Sequence, residues 1–373
     1  MSIVATVVQY VVPFLIILSV VVFVHEFGHY WVARRNGVRV ETFSIGFGPE
    51  LFGRFDRHGT RWKVSAIPLG GYVKMLGDAD ATSSTVELKT AADPESFPGK
   101  SVWQRIAIVF AGPAANFVFA IVVLAALFSL SGRPFTPAEV GAVQEGSPAA
   151  AAGLLPGDRI VGIGGDPVDS FESLQGIVRE SSGEALEFHI ERNGQPLVVS
   201  VTPAMTEMTD RFGNTHRIGL IGVSRAEVEY RRVDPLTAVW EATRETGRMI
   251  VGTLAALWEM VIGSRGTAEL GGPLRIAQMS GQIAQDGLVP AIWFAAVLSI
   301  NLGLINLFPI PMLDGGHLLM YGIEAARGRP LTERSQEIAF RFGLAMVLSL
   351  MVFATWNDLV HLKIVEFVSN LIS

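Results

Sequence analysis

Long runs of uncharged, apolar residues limit what this chain can fold into. Residues 1–24 carry no charged side chain, and the run 3–24 would extend about 33 Å as a helix, enough to cross a hydrocarbon core of about 30 Å. Two further uncharged runs, 106–131 and 287–313, are longer than a span requires, and a shorter run at 342–357 needs flanking residues to cross. We therefore predict a polytopic α-helical membrane protein with four transmembrane helices.

The composition excludes other classes of protein. Half of the 373 residues are hydrophobic and 17% are charged, which is too apolar for an ordinary soluble protein. The net charge is −6 and no long basic run is present, so nucleic acid is not expected as a partner. Because the sequence contains no cysteine, the chain can hold a metal only through His, Asp or Glu side chains.

Basic residues close to the spans predict their orientation. They follow the first span, precede the second, and lie between the third and the fourth: Arg34, Arg35, Arg39, Lys100, Arg105, Arg327, Arg329 and Arg334. These segments are predicted to be cytoplasmic. Both termini and the stretch between the second and third spans are then predicted to lie on the outer side.

The organisation between the spans follows from turn and helix signals. Asn-Gly at 193–194 lies between two strand-like runs and predicts a β-hairpin. The segment 235–262 is typical of a helix, either on the membrane surface or packed on the exported domain, and the polar stretch 78–98 is predicted to be a flexible loop. The predicted segments are the first span (1–33), a cytoplasmic-side, membrane-associated β region with a loop (34–101), the second span (102–131), an exported β-rich domain (132–206), an exported linker with an amphipathic helix (207–286), the third span (287–313), a cytoplasmic-side loop (314–334), the fourth span (335–361) and a tail (362–373).

The inner end of the first span carries a pattern that can bind a metal. His25 and His29 stand at positions i and i+4, on one helical face, with Glu26 beside the first. This spacing can chelate Zn²⁺. The same pattern also arises by chance, or where polar residues emerge at the headgroups ahead of Arg34. Intramembrane Asp and Arg cost roughly 2.5 to 3.5 kcal/mol each, so three ionisable groups within one turn near membrane depth favour a functional role.

A zinc site that hydrolyses a bond normally has three protein ligands and an open position for water. The end of the third span offers the third ligand, because two prolines and two glycines between 309 and 316 open the backbone around Asp314. Asp314 is the natural candidate, and His317 competes with it. A turn leaving the membrane would explain the prolines and glycines without explaining the aspartate.

Together these motifs resemble those of the site-2 protease family of intramembrane zinc metalloproteases, most closely the RseP type. The His-Glu-x-x-His motif stands in the first span, the run 306–316 ends the third span, and a Gly-rich exported module lies between them. The resemblance covers essentially the whole chain and extends to the segments 43–49, 68–75, 111–116 and 270–277.

The resemblance implies a role for each candidate residue. His25, His29 and Asp314 would bind zinc, and Glu26 would be the general acid and base. A membrane-associated β-hairpin after the first span, here about 61–75, would hold the unwound substrate, and the alternative is a β region that plugs the cytoplasmic mouth. The substrate-binding candidates are Gly70 and Gly71 in this hairpin, and Asn301 and Asn306 in the third span, whose amides either contact substrate or join neighbouring helices.

The exported module resembles a PDZ domain of the circularly permuted bacterial type. Its segments 141–143, 146–149 and 152–160 carry this resemblance, and the groove of such a domain binds an extended chain end. The longest family members carry two such domains, whereas 137–203 has room for one. The resemblance therefore implies a single PDZ domain.

The function that follows from the resemblance is intramembrane zinc endopeptidase activity in regulated intramembrane proteolysis. Substrates would be transmembrane segments of single-span proteins, such as anti-sigma factors or remnant signal peptides, with a site-1 protease acting upstream. The enzyme would lie in the lipid bilayer of the bacterial inner (cytoplasmic) membrane, with the PDZ domain and both termini periplasmic and the active site toward the cytoplasm. The alternative is a non-catalytic membrane scaffold that gathers partners through its PDZ domain.

Overall fold

The computed structural model describes residues 3–77, 93–181, 183–209, 215–227, 229–263 and 271–361. Most of the predicted flexible loop at 78–98 and the predicted tail at 362–373 lie outside these residues. Among the described residues the helices are α1 (Ile3–Arg35), α2 (Val102–Leu130), α3 (Pro148–Ala151), α4 (Phe171–Glu180), α5 (Pro235–Val261), α6 (Pro273–Gln285), α7 (Leu288–Asn306), α8 (Asp314–Arg327) and α9 (Glu333–His361). The strands are β1 (Val40–Phe55), β2 (Arg61–Met75), β3 (Arg133–Phe135), β4 (Val140–Val143), β5 (Arg159–Ile163), β6 (Asp166–Pro167), β7 (Leu186–Arg192), β8 (Gln195–Val201), β9 (Ala204–Thr209), β10 (Thr215–Leu220), β11 (Val223–Arg225) and β12 (Glu229–Arg231).

The chain divides into two units. The helical unit comprises Met1–Ala125, Val239–Leu254 and Ala268–Ser373, and the β-rich unit comprises Ala126–Ala238 and Ala255–Thr267. Within the described residues, four helices are long and apolar enough to cross a membrane. These candidate spans overlap the four predicted from the apolar runs, and they are Val8–Arg35, Val102–Leu130, Leu288–Asn306 and Arg334–Leu359.

The third of these helices ends earlier than predicted. α7 ends at Asn306 rather than at 313, because Pro309 and Pro311 lack the amide hydrogens that a continuing helix would need. A separate helix, α8, begins at Asp314, inside the segment predicted as a loop. The candidate ligand thus lies on the first turn of a new helix, beyond the end of the span.

The predicted β region after the first span is a bent hairpin that packs on α1. The first half of β1 has partners in both halves of β2, since Phe43 pairs with Val73 and with Trp62. The Asp56 carboxylate accepts hydrogen bonds from the Tyr30 hydroxyl (2.9 Å) and from the Trp62 indole nitrogen (3.0 Å). Because Tyr30 belongs to α1, these bonds fix the hairpin against the helix that carries the candidate metal ligands.

Part of the predicted linker at 207–286 is a helix that packs on α1. In α6, a Cβ on Gly281 would lie 2.3 Å from the Tyr10 ring, so only glycine allows this approach. The α6 N-terminus is capped from α9, where the buried Asp358 carboxylate accepts hydrogen bonds from the amides of Gly272 (2.8 Å) and Leu274 (3.1 Å). A carboxylate satisfies free amides at a helix N-terminus and interacts favourably with its dipole. Asp358 therefore joins α9 to α6.

The helix predicted at 235–262 is present as α5, and one of its faces is apolar and exposed. Trp240 and Val251 are each 67% exposed and Trp258 is 64% exposed. Such a face is typical of a helix on a membrane surface. The choice between a surface helix and one packed on the β-rich unit stays a prediction.

The β-rich unit contains the predicted hairpin. β7 and β8 pair across Asn193 and Gly194, whose φ angles of 52° and 77° lie in the left-handed region, as a tight turn of this sequence requires. The unit also extends past the predicted boundary at 206, because β3 pairs with β12 and β4 pairs with β11. Among the described residues, a cluster of buried side chains in its core includes Leu154, Ile160, Ile163, Leu174, Phe188 and Ile190.

An ion pair with a buried carboxylate supports this unit. The Asp158 carboxylate, 1% exposed, accepts hydrogen bonds from Arg192 Nε and Nη2, each at 2.7 Å, and from the Leu155 amide at 2.8 Å. Arg192 also donates to the Gly153 carbonyl at 2.8 Å. The Arg192 guanidinium lowers the pKa of Asp158 below its usual value. The pair joins β7 to the loop before β5.

We expect Asp158→Asn to destabilise the β-rich unit by about 2 kcal/mol, because it weakens a buried, charge-assisted pair. In the full chain at pH 7, amide hydrogen exchange in β5 and β7 should become roughly thirtyfold faster, a factor that corresponds to this free energy. Since the folded pKa lies below the unfolded one, the stabilisation is complete above about pH 4 and is lost as the pH falls through the lowered value. Asp166→Asn, on the exposed strand β6, is the control, and equal exchange in the two variants would contradict the prediction.

Candidate metal centre and active site

Two imidazoles face each other on α1. His25 and His29 are buried, and their Nε2 atoms lie 3.3 Å apart. The ring planes are nearly perpendicular, at 85°, with centroids 4.9 Å apart. This follows from the i, i+4 spacing, which places both side chains one above the other on the same face of a helix.

The third group comes from the start of α8. Asp314 Oδ2 lies 3.1 Å from His25 Nε2 and 3.5 Å from His29 Nε2. Among the described residues, these three form the group of His, Asp and Glu side chains whose ligand atoms all lie within 4.8 Å of one another. His317, the competing candidate, is outside this group and packs near the Tyr321 ring, at 6.3 Å between centroids.

Glycines set the position of Asp314. A Cβ on Gly315 would lie 2.2 Å from the Phe308 carbonyl oxygen, and a Cβ on Gly316 would lie 2.4 Å from the Ile310 carbonyl oxygen. Any side chain at either position would push the first turn of α8 away from the preceding loop. The two glycines that follow Asp314 therefore allow this turn to reach the histidines.

The three ligand atoms fit a zinc ion. Ligands 2.0 to 2.1 Å from a tetrahedral metal lie about 3.3 Å from one another, and the separations among His25, His29 and Asp314 are 3.1, 3.3 and 3.5 Å. Asp314 Oδ2 is buried, and apart from the two imidazole nitrogens it has no hydrogen-bond partner among the described residues, as expected of an oxygen that binds a cation. Two imidazoles and a carboxylate leave the fourth tetrahedral position open.

α2 holds the ring of His29 in place. The backbone carbonyl of Ile108 accepts a hydrogen bond from His29 Nδ1 at 2.9 Å, so that Nε2 is directed toward His25 and Asp314. Gly112 lies against the ring, since a Cβ there would be 2.2 Å from His29 Nε2. Gly28 on α1 is equally close to α2, with the Ala111 carbonyl oxygen 2.2 Å from a Cβ at that position. Small residues at this crossing bring the two helices together.

Gly71, one of the two predicted substrate-binding glycines, lies beside Glu26. A Cβ on Gly71 would lie 3.1 Å from Glu26 Cγ and 2.7 Å from the Ser44 carbonyl oxygen. Gly70 has a φ of 112°, a conformation that favours glycine, and packs against Phe47. β2 thus passes next to the candidate acid/base at a glycine, so no side chain of the strand separates its backbone from Glu26.

The two asparagines of α7 have different surroundings. Asn306 Nδ2 lies 3.3 Å from His25 Nε2, so this amide belongs to the candidate site. Asn301 Oδ1 accepts a hydrogen bond from the Thr253 hydroxyl of α5 at 3.4 Å. This contact supports the helix-joining alternative for Asn301, so of these two asparagines it is Asn306 that faces the metal ligands.

Comparison with known proteins identifies the family. Residues 13–350 match the family model described as peptidase family M50. The chain belongs to this family. A protein of Agrobacterium fabrum named "Putative zinc metalloprotease Atu1380" is 48% identical over 361 residues, which cover 94% of this chain and 95% of that protein. The metalloprotease MmpA of Caulobacter vibrioides is 38% identical over 388 residues, covering 96% and 98% respectively.

Solved structures of PDZ domains align with about a quarter of this M50 protein. The PDZ domain of an SdrC-like protein of Listeria monocytogenes aligns with 24% of this chain and 88% of its own length, at 18% identity and a TM-score of 0.20. Within the β-rich unit, a cavity of about 710 Å³ lies between α4 and the strand segment that includes Leu220, Ile221 and Val223. The α4 side of this groove is largely apolar, with Phe171 and Leu174 among its residues.

M50 membership makes the chain a zinc metalloprotease. One of the segments that carried the resemblance lies at the candidate site. The segment 111–116 contains Gly112, which lies against His29, and Asn116, whose amide nitrogen is 3.3 Å from His25 Nδ1. The sequence signal for both was present, but spacing along the chain does not connect α2 with the histidines of α1.

Proposed function

We propose that this chain is a site-2 type zinc endopeptidase that cuts transmembrane segments of single-span membrane proteins. The observation that carries the proposal is the meeting of His25, His29 and Asp314, at tetrahedral spacing, in a unit built from apolar helices of membrane-spanning length. A scaffold that merely gathers partners needs no such group.

The roles of the residues follow from this placement. His25, His29 and Asp314 would hold zinc, which when bound supplies a Lewis acid that activates water and binds developing negative charge. Glu26 accepts the proton of the attacking water and passes it to the leaving amine. Asn306, beside His25 Nε2, is positioned to donate an amide hydrogen bond to the substrate backbone.

The substrate must be unwound before it can be cut, because a helix buries its carbonyl groups in hydrogen bonds. We propose that β2 near Gly70 and Gly71 pairs with the unwound segment through backbone hydrogen bonds, which place little demand on sequence. The contact between Gly71 and Glu26 supports this, since a strand held there would lie beside the acid/base. The groove of the β-rich unit would bind an extended chain end of a substrate or partner.

Location and partners are part of the same proposal. The basic residues beside the spans favour a cytoplasmic position for the zinc-binding end of α1, in a bacterial inner membrane. Anti-sigma factors and remnant signal peptides are the proposed substrates, after a site-1 protease has trimmed them. The lipid bilayer is the medium in which enzyme and substrate meet.

The test is metal content and cleavage measured on one preparation. The full chain, purified in detergent without chelators, is expected to contain about one zinc per molecule and to cut a trimmed single-span protein within its apolar segment. Mass spectrometry of the products locates the cut. A preparation that is folded, contains no zinc after incubation with the metal and cuts nothing would support the scaffold instead.

A further inference from the structure

A buried amide on α2 faces the outer nitrogen of one metal-ligand candidate. Asn116 is fully buried, and its Nδ2 lies 3.3 Å from His25 Nδ1. Its Oδ1 is also buried and has no hydrogen-bond partner among the described residues. A buried amide oxygen without a partner costs about 1 to 3 kcal/mol, so this arrangement requires a physical reason.

The chemistry of a metal-bound imidazole supplies that reason. When Nε2 binds a metal, the ring proton resides on Nδ1, which then needs an acceptor. The two ends of an asparagine amide have nearly the same shape, so a half-turn of the amide places Oδ1 where Nδ2 stands. The Nδ1–H of His25 then donates to Oδ1, and the unpartnered oxygen is satisfied.

We propose that Asn116 is a positioning residue, whose Oδ1 accepts the Nδ1 proton of His25 and so keeps Nε2 directed at the metal. The proposal rests on the proposed function of His25 as a ligand. Asn116 touches neither substrate nor metal in this scheme, and it acts through the ring of His25.

The neighbouring ligand shows the same arrangement. His29 Nδ1 donates to the Ile108 carbonyl at 2.9 Å, and Ile108 precedes Asn116 by about two turns of α2. One helix therefore provides the acceptors for both imidazoles. The acceptor for His29 is a backbone carbonyl, which any residue at position 108 would provide. The acceptor for His25 is a side-chain oxygen and therefore depends on the residue at position 116.

Packing from α7 holds the backbone and Cβ of Asn116 in place. The Ser299 hydroxyl donates to the Asn116 backbone carbonyl at 3.0 Å. A Cβ on Gly303 would lie 3.2 Å from Asn116 Cβ, so the two helices are close at this point. Asn116 thus lies where α1, α2 and α7 meet, with little freedom to turn away from His25.

The experiment compares zinc affinities of the full chain in detergent, measured by competition with a chromophoric chelator. Asn116→Leu keeps the volume and removes the acceptor, and its zinc affinity is expected to fall ten- to a hundredfold. Asn116→Asp keeps an acceptor for the Nδ1 proton and is expected to stay within about threefold of the parent. Ser299→Ala, which alters the same helix contact without touching His25, is the control and should bind zinc as the parent does.

A second readout separates positioning from packing. With Co²⁺ in place of zinc, the visible absorption band of Asn116→Leu should change shape, while those of Asn116→Asp and Ser299→Ala should match the parent. Thermal unfolding of the metal-free proteins checks that each variant is folded. If leucine does not fit beside Gly303, Asn116→Ala takes its place in the same comparison.

Three outcomes would overturn the positioning role. Parental zinc affinity in the folded leucine or alanine variant would show that the acceptor is not needed. Equal losses in the aspartate and leucine variants would indicate packing alone. A parent that binds no zinc, or a His25→Ala variant that binds it as the parent does, would overturn the proposed function and the positioning role with it.

Discussion

Replacing Glu26 with glutamine is expected to lower the cleavage rate at least a hundredfold while zinc content and thermal stability stay unchanged. The amide keeps the shape of the carboxylate but cannot accept the proton of the attacking water, and general acid–base groups contribute about 10² to 10⁴ in rate. The measurement is the rate of cutting a trimmed single-span substrate by the purified full chain, with zinc determined on the same sample.

Glu337→Gln is the matched control for this variant. Glu337 lies on α9 with its side chain 60% exposed and pairs with Arg341, and an exposed pair of this kind contributes at most about 1 kcal/mol. Its cleavage rate should equal that of the parent. A Glu26→Gln enzyme with activity within tenfold of the parent would remove Glu26 from the acid/base role. Loss of zinc in that variant would show that Glu26 helps to hold the site together.

Replacing Asp314 with alanine is expected to remove zinc from the purified chain and to abolish cleavage. Asp314 supplies one of three ligand atoms, and the two remaining imidazoles leave the ion with half of a tetrahedral set. Zinc content after dialysis should fall from about one per chain to near zero. His25→Ala and His29→Ala should behave in the same way.

His317→Ala tests whether Asp314, rather than His317, is the third metal ligand. His317 is on the same helix as Asp314, one turn later, and is outside the group of converging ligand atoms. Its zinc content should match the parent. The opposite result, with zinc retained in Asp314→Ala and lost in His317→Ala, would transfer the third ligand to His317.

The sequence by itself determined the features that depend on short distances along the chain. The i, i+4 spacing of His25 and His29 places both rings on one face of any helix that contains them, so the pair could be predicted from the motif. Asn-Gly between two strand-like runs similarly specified the β7–β8 hairpin, because the turn needs residues that adopt a positive φ. The apolar runs predicted the spans, since length and hydrophobicity decide which helices can cross a bilayer.

The tertiary structure decided what depends on packing between distant segments. From the sequence, Asp314 and His317 were both possible ligands, and only the close approach of Gly315 and Gly316 to the preceding loop directs the first turn of α8, with Asp314, at the histidines. The contact of Asn116 with His25 likewise depends on how closely α2 crosses α1. Helix α6 was missed because its N-terminus is satisfied by Asp358 of α9 rather than by a local cap. Such contacts are set by three-dimensional packing, and no periodicity along the chain encodes them.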